Sequence, residues 1–295
     1  PIFSDISADD LCIDCDSVET FLEAECRQQN DATYHIKTGK KIRALIAVHM
    51  YGNVCNLEKL EYLCNRFNLA LIEDGTEALG AEYKNIKAGK NSTFFALSFN
   101  GNKIITSGGG GMLLTNNPMV SAKVHQIANQ GKTSSSLVDI LSTGGNFRMP
   151  NLNAAFALGQ CTNLQQRIKM KQNIFQTYES LISDEPALNL VKGHSDCKSS
   201  NWLTVLKVSN LNKINTIQKL NAHLNKAGIE TRPVWRPIHS IPSFEEFEKI
   251  GQLKNSNEAY SSSICLPSSL NITPAQQAIV IDAIKKHLKD LQKTD

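Results

Sequence analysis

The chain has 295 residues, of which 41% are hydrophobic and 20% are charged, and its net charge is +3 at pH 7. This balance is typical of a globular protein with one large or two modest domains, and no basic stripe indicates nucleic-acid binding. The sequence holds no run of about eighteen apolar residues, so no membrane-spanning helix is expected. We expect a cytoplasmic protein that binds neither nucleic acid nor membranes.

The eight cysteines include one C-x-x-C pair, Cys12 and Cys15. Asp14 and Asp16 flank Cys15, and neighbouring carboxylates raise the pKa of a thiol rather than lower it. A redox motif needs the opposite electrostatics, and a zinc site of this kind needs a second pair. We therefore expect all eight cysteines to be reduced and no metal to be bound.

Strands and helices alternate in the first half of the chain. Residues 44–52, ALIAVHMYG, predict a buried strand, and residues 56–67 have apolar side chains at helical spacing after Asn56, a residue type that caps helices. LALIED at 69–74 predicts the next strand, and the order strand, helix, strand is typical of parallel pairing. Further elements are predicted as strands at 94–99 and 111–115 and a helix at 117–129.

The second half of the chain has a different pattern. A periodic stretch from Leu152 to about Ile182 predicts one long helix, or two, joining two lobes. Beyond it we predict a strand at 202–209, a helix at 213–227, an extended segment at 229–235, a short strand at 263–269 and a helix at 274–292. We predict an α/β protein with a mostly parallel major domain over 1–165, then a linking helix and a smaller α+β domain over 166–295.

Chemically distinct side chains follow three of the predicted strands. They are His49 and Tyr51 after the first strand, Glu73 and Asp74 at the end of the second, and Ser98, Asn100 and Lys103 after the third. Open parallel sheets bind ligands at the carboxyl ends of their strands. We therefore expect these side chains to meet in one site.

Pyridoxal phosphate needs this combination of groups. Its aldehyde needs a lysine, its ring nitrogen needs a carboxylate, and its phosphate needs hydroxyl and N–H groups. Lys103, Asp74 and Ser98 match these needs, and glycines at 108–111 allow backbone to pass close to a cofactor. Each feature alone has a commoner explanation, namely a solvated lysine, a helix cap or a turn. Composition and spacing alone therefore leave the cofactor open.

Four segments resemble motifs of the DegT/DnrJ/StrS family of sugar aminotransferases. They are IEDGTEALGAEY at 72–83, SFNGNKIITSGGGG at 98–111, GGNFRMPNLNAAFALGQ at 144–160 and TRPVWRPIHSIP at 231–242. The resemblance extends over essentially the whole chain. It implies a fold-type I enzyme that depends on pyridoxal phosphate.

The resemblance also implies roles for the residues around the cofactor. Lys103 would form the Schiff base, and Asp74 would pair with the pyridine nitrogen. Ser98 would bind the phosphate, and Asn100 would also contact the cofactor. Glu77 stands where the family often has Gln, near the ring hydroxyl, and a carboxylate donates no hydrogen bond there unless it is protonated.

Other matched positions are implied to face a partner subunit or the substrate. Asn146 would reach the phosphate of the cofactor in the partner subunit, which implies a homodimer with a shared active site. Arg148, Trp235 and His239 would lie near the sugar nucleotide. His49 would line the substrate site, or it is equally a strand-end histidine whose ring is satisfied by the protein.

Three segments resemble one branch of the family in particular, which acts in a legionaminic-acid type pathway. They are ECRQQNDATYHIKTGKK at 25–41, SFNGNKIIT at 98–106 and ICLPSS at 264–269. The branch implies that an amino group passes from L-glutamate to C4 of a UDP-linked 2-acetamido-4-keto-6-deoxy sugar.

The family ordinarily carries a G-[ST]-x-A phosphate-binding turn ahead of the segment that reads PIFSDI here. We do not find this turn, so the resemblance implies an N-terminally incomplete major domain. A catalytically incompetent fragment, or a scaffolding homologue, therefore stays open as the alternative to an active enzyme.

Overall fold

The structure, a computed structural model, describes residues 1–90, 92–132, 139–140, 142–209 and 216–292. Its α-helices are α1 Cys15–Ala24, α2 Leu57–Arg66, α3 Pro118–Ala128, α4 Asn151–Cys161, α5 Leu164–Leu181, α6 Thr216–Lys226, α7 Lys254–Ser262 and α8 Pro274–Gln292. Within these described ranges, no helix is both long and apolar enough to cross a lipid bilayer. Part of the predicted helix at 213–227 lies outside the described residues.

The first lobe contains a four-stranded sheet made of β1 Ala44–Val48, β2 Ala70–Asp74, β3 Phe94–Ser98 and β4 Gly111–Leu114. Their spatial order is β4-β3-β2-β1. As predicted, β1, β2 and β3 run parallel, whereas β4 pairs antiparallel with β3. The parallel direction brings the carboxyl ends of β1, β2 and β3 to the same edge of the sheet.

Helix α2 connects β1 to β2 and begins where the sequence predicts. The Asn56 side chain accepts a hydrogen bond from the Lys59 N–H at 3.1 Å, so Asn56 is the predicted N-cap. The apolar face of α2 packs with α1 and the sheet in one core, which includes Leu22, Leu45, Ala47, Leu60 and Leu63. This core supports the sheet edge at which the polar side chains stand.

The second lobe is built on an antiparallel sheet of β5 Leu188–Leu190, β6 Thr204–Val208, β7 Arg232–Pro233 and β8 Ser263–Leu266, in the order β5-β6-β8-β7. Helices α5, α6 and α8 share its core, which includes Tyr178, Leu206, Ile217, Ile264 and Ile281. The mixed organisation predicted for this half of the chain is therefore present.

Short strands tie the two halves of the chain together. Ile2–Phe3 pairs in parallel with Glu248–Lys249, and Cys197–Lys198 extends a hairpin of Glu82–Tyr83 and Ile86–Lys87. The predicted boundary at residue 165 falls at the start of α5, and these pairings cross it. The division into 1–165 and 166–295 stays a prediction.

The stretch from Leu152 forms two helices, α4 and α5, which is one of the two outcomes that the sequence predicts. Helices α1 and α7 and a small sheet of Cys26–Gln29, Ala32–His35 and Lys41–Ile42 were not predicted. All eight cysteines are free. Burial, with the neighbouring charge of Asp14, raises the pKa of the Cys15 thiol to about 12, in the predicted direction.

Candidate active site

Asp74 stands at the centre of the sheet edge where the predicted site residues meet. It is the last residue of β2 and lies in register with Val48 of β1 and Ala96 of β3. Its Oδ1 atom accepts a hydrogen bond from the Thr76 N–H at 3.0 Å, which fixes the side chain against its own loop. Asp74 therefore presents a half-buried carboxylate on the central strand.

A tight loop after β3 carries Lys103. The Ser98 hydroxyl accepts a hydrogen bond from the Asn100 N–H at 3.2 Å, and the Lys103 N–H donates to the Asn100 carbonyl at 3.1 Å. The Ser107 N–H returns to the Phe99 carbonyl at 2.9 Å and closes the loop. These bonds hold Lys103 at a turn, with its side chain only 12% exposed.

The amine of Lys103 lies between an aromatic ring and a carboxylate. Its Nζ atom is 4.0 Å from the ring centroid of Trp202 and 3.9 Å from Oε1 of Glu77. Burial lowers the pKa of Lys103 below its ordinary value of 10.5; the charges of Glu77 and Asp74 oppose this, and Arg232 lowers the pKa further. A lowered pKa makes the neutral, nucleophilic amine more available.

Trp202 is held firmly beside this amine. It is 1% exposed, and its indole N–H donates to the Asn102 carbonyl at 2.8 Å. Its own carbonyl accepts a hydrogen bond from Lys171 Nζ at 2.9 Å, and the Tyr51 ring lies parallel to its ring at 6.4 Å. The ring position is thus set by residues of both lobes.

Both carboxyl oxygens of Glu77 accept hydrogen bonds from N–H groups. Oε2 accepts from the Tyr51 backbone N–H at 2.8 Å, and Oε1 accepts from the Trp235 indole N–H at 2.9 Å. The Tyr51 hydroxyl in turn accepts from the Trp235 backbone N–H at 2.9 Å. Burial raises the pKa of Glu77, while these bonds and Lys103 act against the rise. Glu77 is therefore an acceptor in this structure.

His49 lies in the core beneath the site. It is fully buried, its Nε2 atom is 2.9 Å from Oε2 of Glu73, and its Nδ1 atom accepts the Cys55 N–H at 3.2 Å. The Ser92 hydroxyl donates to the other oxygen of Glu73. Because both ring nitrogens are engaged, the strand-end interpretation fits His49, and its predicted contact with substrate is not supported.

The remaining predicted residues are spread more widely. Trp235 joins the Lys103 site through Glu77, whereas Asn146 and Arg148 are exposed. His239 is half-buried, and its Nε2 atom lies 3.0 Å from Oδ1 of Asn257. In the part of the chain that the structure describes, no hydrogen bond or ion pair links Asn146, Arg148 or His239 to Lys103.

Two residues of the site were not singled out from the sequence. The guanidinium of Arg232 lies 5.8 Å from the ring centroid of Trp202 and 5.5 Å from that of Trp235. Arg232 stands inside the segment TRPVWRPIHSIP, so this motif was a signal for it. Trp202 carried no such signal, because it reaches Lys103 only through the packing of the second lobe.

The glycines at 108–111 first serve the turn into β4. Gly108 and Gly110 have φ values of +77° and +85°, and a Cβ atom on Gly111 would lie 2.5 Å from the Leu97 carbonyl oxygen. A Cβ atom on Gly108 or Gly109 would meet nothing within 4 Å. The backbone beside the Lys103 loop is therefore open, as a close approach to a ligand requires.

A group of metal-binding residue types lies outside this site, in the described part of the chain. Glu25, His35 and Glu248 offer ligand atoms within 4.8 Å of one another. Lys37 Nζ already pairs with Glu248 at 2.9 Å, and the Thr38 hydroxyl lies 3.1 Å from Nδ1 of His35. We interpret the group as a polar cluster that stabilises the hairpin formed by Cys26–Gln29 and Ala32–His35.

The groups around Lys103 fit pyridoxal phosphate. A desolvated amine can take the cofactor's aldehyde, and the carboxylate of Asp74 can keep its ring nitrogen protonated. The Ser98 hydroxyl and the backbone N–H groups of the loop that follows are suited to a phosphate.

The chain belongs to the DegT/DnrJ/EryC1/StrS aminotransferase family, whose model it matches over residues 1–285. It is 30% identical over 289 residues to GDP-perosamine synthase of Vibrio cholerae, covering 97% of this chain and 78% of that protein. It is 26% identical over 236 residues to UDP-4-amino-4,6-dideoxy-N-acetyl-beta-L-altrosamine transaminase of Helicobacter pylori, covering 79% and 62%. The solved structure of Helicobacter pylori PseC, an aminotransferase involved in pseudoaminic acid biosynthesis, matches with a TM-score of 0.86 at 23% identity, covering 98% of this chain and 74% of that one.

These findings confirm four predictions. The family, the fold-type I α/β class, the aminotransferase activity class and the use of pyridoxal phosphate are as expected. The substrates of the family's sugar aminotransferases are small nucleotide-linked molecules. The branch, the nucleotide and the amino donor are finer questions, because the relatives are named for both GDP and UDP sugars.

Proposed function

We propose that this chain transfers the amino group of L-glutamate to C4 of a UDP-linked 2-acetamido-4-keto-6-deoxy sugar. One observation supports the amino-transfer chemistry. The partly desolvated amine of Lys103 lies at the edge of the sheet, and the charge of Asp74 affects its pKa. The choice of sugar and nucleotide rests on the resemblance to the legionaminic-acid branch and on the UDP sugar for which the Helicobacter pylori relative is named.

Each residue of the Lys103 site has one task in this proposal. Bound pyridoxal phosphate supplies an electron sink for the carbon that bears the amino group. Lys103 would hold the cofactor through Nζ, and the free amine would remove and return a proton with the same atom. Asp74 holds the ring nitrogen in its protonated form, and Ser98 and Asn100 hold the phosphate side.

The substrate side of the proposal uses Trp235, Arg148 and His239. Trp235 is 53% exposed while its indole N–H is fixed by Glu77, so it offers a ring face with a defined orientation. Arg148 is an exposed guanidinium, which suits a diphosphate through paired N–H donors. His239 offers a half-buried imidazole, whose Nε2 atom lies 3.0 Å from Oδ1 of Asn257.

Two copies of the chain share their active sites in this proposal, with Asn146 of one copy reaching the cofactor phosphate of the other. Large apolar side chains are exposed in the segment that contains Asn146 and in α4, namely Phe147 at 74%, Leu152 at 83%, Phe156 at 59% and Leu158 at 70%. Exposed apolar patches of this kind mark interaction surfaces. A second copy that covers them places Asn146 at the interface.

The test of the chemistry is covalent trapping followed by an assay. Borohydride reduction of the protein with pyridoxal phosphate should add one cofactor to a peptide that contains Lys103, and Lys103→Arg should abolish the addition. The protein with pyridoxal phosphate, not treated with borohydride, should transfer the amino group of glutamate to UDP-linked 4-keto sugars. Amination of the GDP-linked sugar alone would replace the nucleotide assignment, and failure to take up cofactor would favour the scaffolding alternative.

The shared site is tested by mixing two inactive variants. Lys103→Ala and Asn146→Ala each remove one half of a composite site, so a mixed dimer holds one intact site. With random exchange of subunits, about a quarter of the sites should regain activity. Mixtures that stay inactive although the subunits exchange would contradict the shared site.

A further inference from the structure

Glu77 occupies a position that requires two hydrogen-bond acceptors. The Tyr51 backbone N–H and the Trp235 indole N–H point at its two oxygens, at 2.8 Å and 2.9 Å. We propose that Glu77 is an ionised counter-ion of Lys103 that holds the proton on Nζ, a positioning role that an amide at this place cannot fill. The inference deepens the proposed function and rests on it only for the identity of the group that Lys103 binds.

The two donors require residue 77 to accept a hydrogen bond at each end of its side chain. A backbone N–H and an indole N–H can donate but never accept. A glutamine at 77 has one oxygen and one NH₂ group, so its NH₂ would face an N–H donor on one side. A buried donor that loses its acceptor costs about 1–3 kcal/mol. A carboxylate satisfies both donors at once, and it brings a negative charge to 3.9 Å from Lys103 Nζ.

Glu73 provides an internal comparison, since it stands four residues earlier in the same segment and is also buried. One of its oxygens faces Nε2 of His49, and the other accepts from the Ser92 hydroxyl. A hydroxyl can accept as well as donate, so a glutamine at 73 keeps both contacts by rotating the hydroxyl. Of these two buried glutamates, Glu77 therefore requires two acceptors and Glu73 does not.

Glu77 is also the carboxylate that acts most strongly on Lys103. The charged groups that shift the pKa of Lys103 are, in falling order of effect, Glu77, Asp74 and Arg232. The polar groups that face Glu77 itself are Tyr51, Trp235, Lys103, Asp74 and Cys265. Of these, Lys103 alone carries a positive charge at neutral pH, so the two side chains form an ion pair inside the site.

This pair has a consequence for proton transfer at Nζ. In the proposed reaction Lys103 takes up a proton and later returns it. A fixed carboxylate beside Nζ stabilises the protonated amine by holding an opposite charge in a partly desolvated place. The Trp202 ring, 4.0 Å away on the same amine, favours the same charged form. Glu77 thus shifts the balance toward the proton-carrying state of Lys103.

The test measures the protonation of Lys103 in protein without cofactor. Reductive methylation with ¹³C-formaldehyde gives dimethyl-lysine signals that titrate with pH, and the Lys103 signal is the one that disappears in Lys103→Arg. Glu77→Gln should lower the Lys103 pKa by about one unit or more, as expected when an opposite charge at this range is removed. Glu73→Gln is the matched control and should leave the Lys103 pKa unchanged.

A reciprocal measurement tests the same ion pair without the Glu77→Gln variant, in case that variant does not fold. In Lys103→Met, the Glu77 carboxyl should titrate at higher pH, because coupling between two sites is equal in both directions. Equal Lys103 pKa values in the wild type and Glu77→Gln, or an unmoved Glu77 in Lys103→Met, would overturn the inference. Borohydride trapping of pyridoxal phosphate is read separately, so loss of the proposed function and loss of this ion pair are distinguishable.

Discussion

The Nζ atom of Lys103 lies 4.0 Å from the ring centroid of Trp202, although the two residues belong to different lobes. Lys103 sits in the loop after β3, whereas Trp202 comes just before β6. A desolvated contact of this type contributes about 2 kcal/mol to the charged amine. The relative placement of the lobes therefore sets the environment of the amine.

Trp202 should matter to stability as well as to Lys103. Because it is fully buried and its indole N–H is bonded to Asn102, Trp202→Ala should lower the free energy of unfolding by about 3–5 kcal/mol. Trp202→Phe keeps an aromatic ring and should lower the free energy of unfolding by a smaller amount. Urea unfolding followed by circular dichroism measures both. Trp235→Phe, at a side chain that is half exposed, is the control, and similar losses in all three variants would contradict this account.

Lys171 should make stability depend on pH in the alkaline range. Its ammonium is buried without a carboxylate, bonded to the carbonyls of Trp202 and Ser268, and burial lowers its pKa from 10.5 to about 8. Between these values Lys171 binds more protons in the unfolded chain than in the folded one, so its own contribution to the free energy of unfolding should rise with pH, by at most about 1.4 kcal/mol per pH unit, whereas buried thiols with raised pKa values, such as Cys15, contribute in the opposite direction.

Lys171→Met should remove this contribution, so the difference in free energy of unfolding between the wild type and Lys171→Met should change with pH in favour of the wild type. Urea unfolding at a pH near neutrality and at a pH near 10 compares the two proteins, and Lys169→Met, at an exposed position of the same helix, is the matched control. A difference between the wild type and Lys171→Met that stays constant with pH, or an equal change for Lys169→Met, would contradict the role of Lys171.

The contact between His49 and Glu73 should contribute to the free energy of unfolding only while both side chains are present. His49→Leu leaves the 2% exposed carboxylate of Glu73 without its imidazole partner, and the loss of a hydrogen-bond donor to a buried carboxylate costs about 1.5–3 kcal/mol. The double variant His49→Leu/Glu73→Leu should recover part of the loss. A double-mutant cycle in guanidinium chloride measures the coupling, and additive losses would show that the pair is not coupled.

Asn56 should stabilise the chain through two acceptor contacts. Its Oδ1 atom caps α2 at the Lys59 N–H and also accepts from the Tyr83 hydroxyl at 3.0 Å. Asn56→Ala should therefore lower the free energy of unfolding by about 1–2 kcal/mol. Asn56→Asp keeps an acceptor at the helix N-terminus and should stay close to the wild type in thermal unfolding; an equal loss in both variants would contradict the capping role.

The parts of the structure that depend on neighbouring residues could be predicted from the sequence. The alternation of β1, α2 and β2, and the cap at Asn56, follow from local pattern and residue type. Lys103 and Asp74 could be paired because parallel strands end at a common edge. The resemblance to the aminotransferase family then indicated pyridoxal phosphate as the cofactor.

The parts that depend on the second lobe could not be predicted. Trp202 reaches Lys103 only after β6 packs, and no local pattern encodes that contact. The acceptor role of Glu77 needs the positions of the Tyr51 and Trp235 N–H groups, which come from distant segments. His49 could not be placed in the core or in the site until Cys55 was seen to engage its second nitrogen.

The pairing of Ile2–Phe3 with Glu248–Lys249 bears on how the protein is made. This strand finds its partner only after the residues up to Lys249 have been synthesised, and such contacts between distant segments slow folding. Ile2–Phe3 therefore stays unpaired until that stage. Splitting the gene near residue 165 and expressing the halves separately should yield pieces that need each other to become compact.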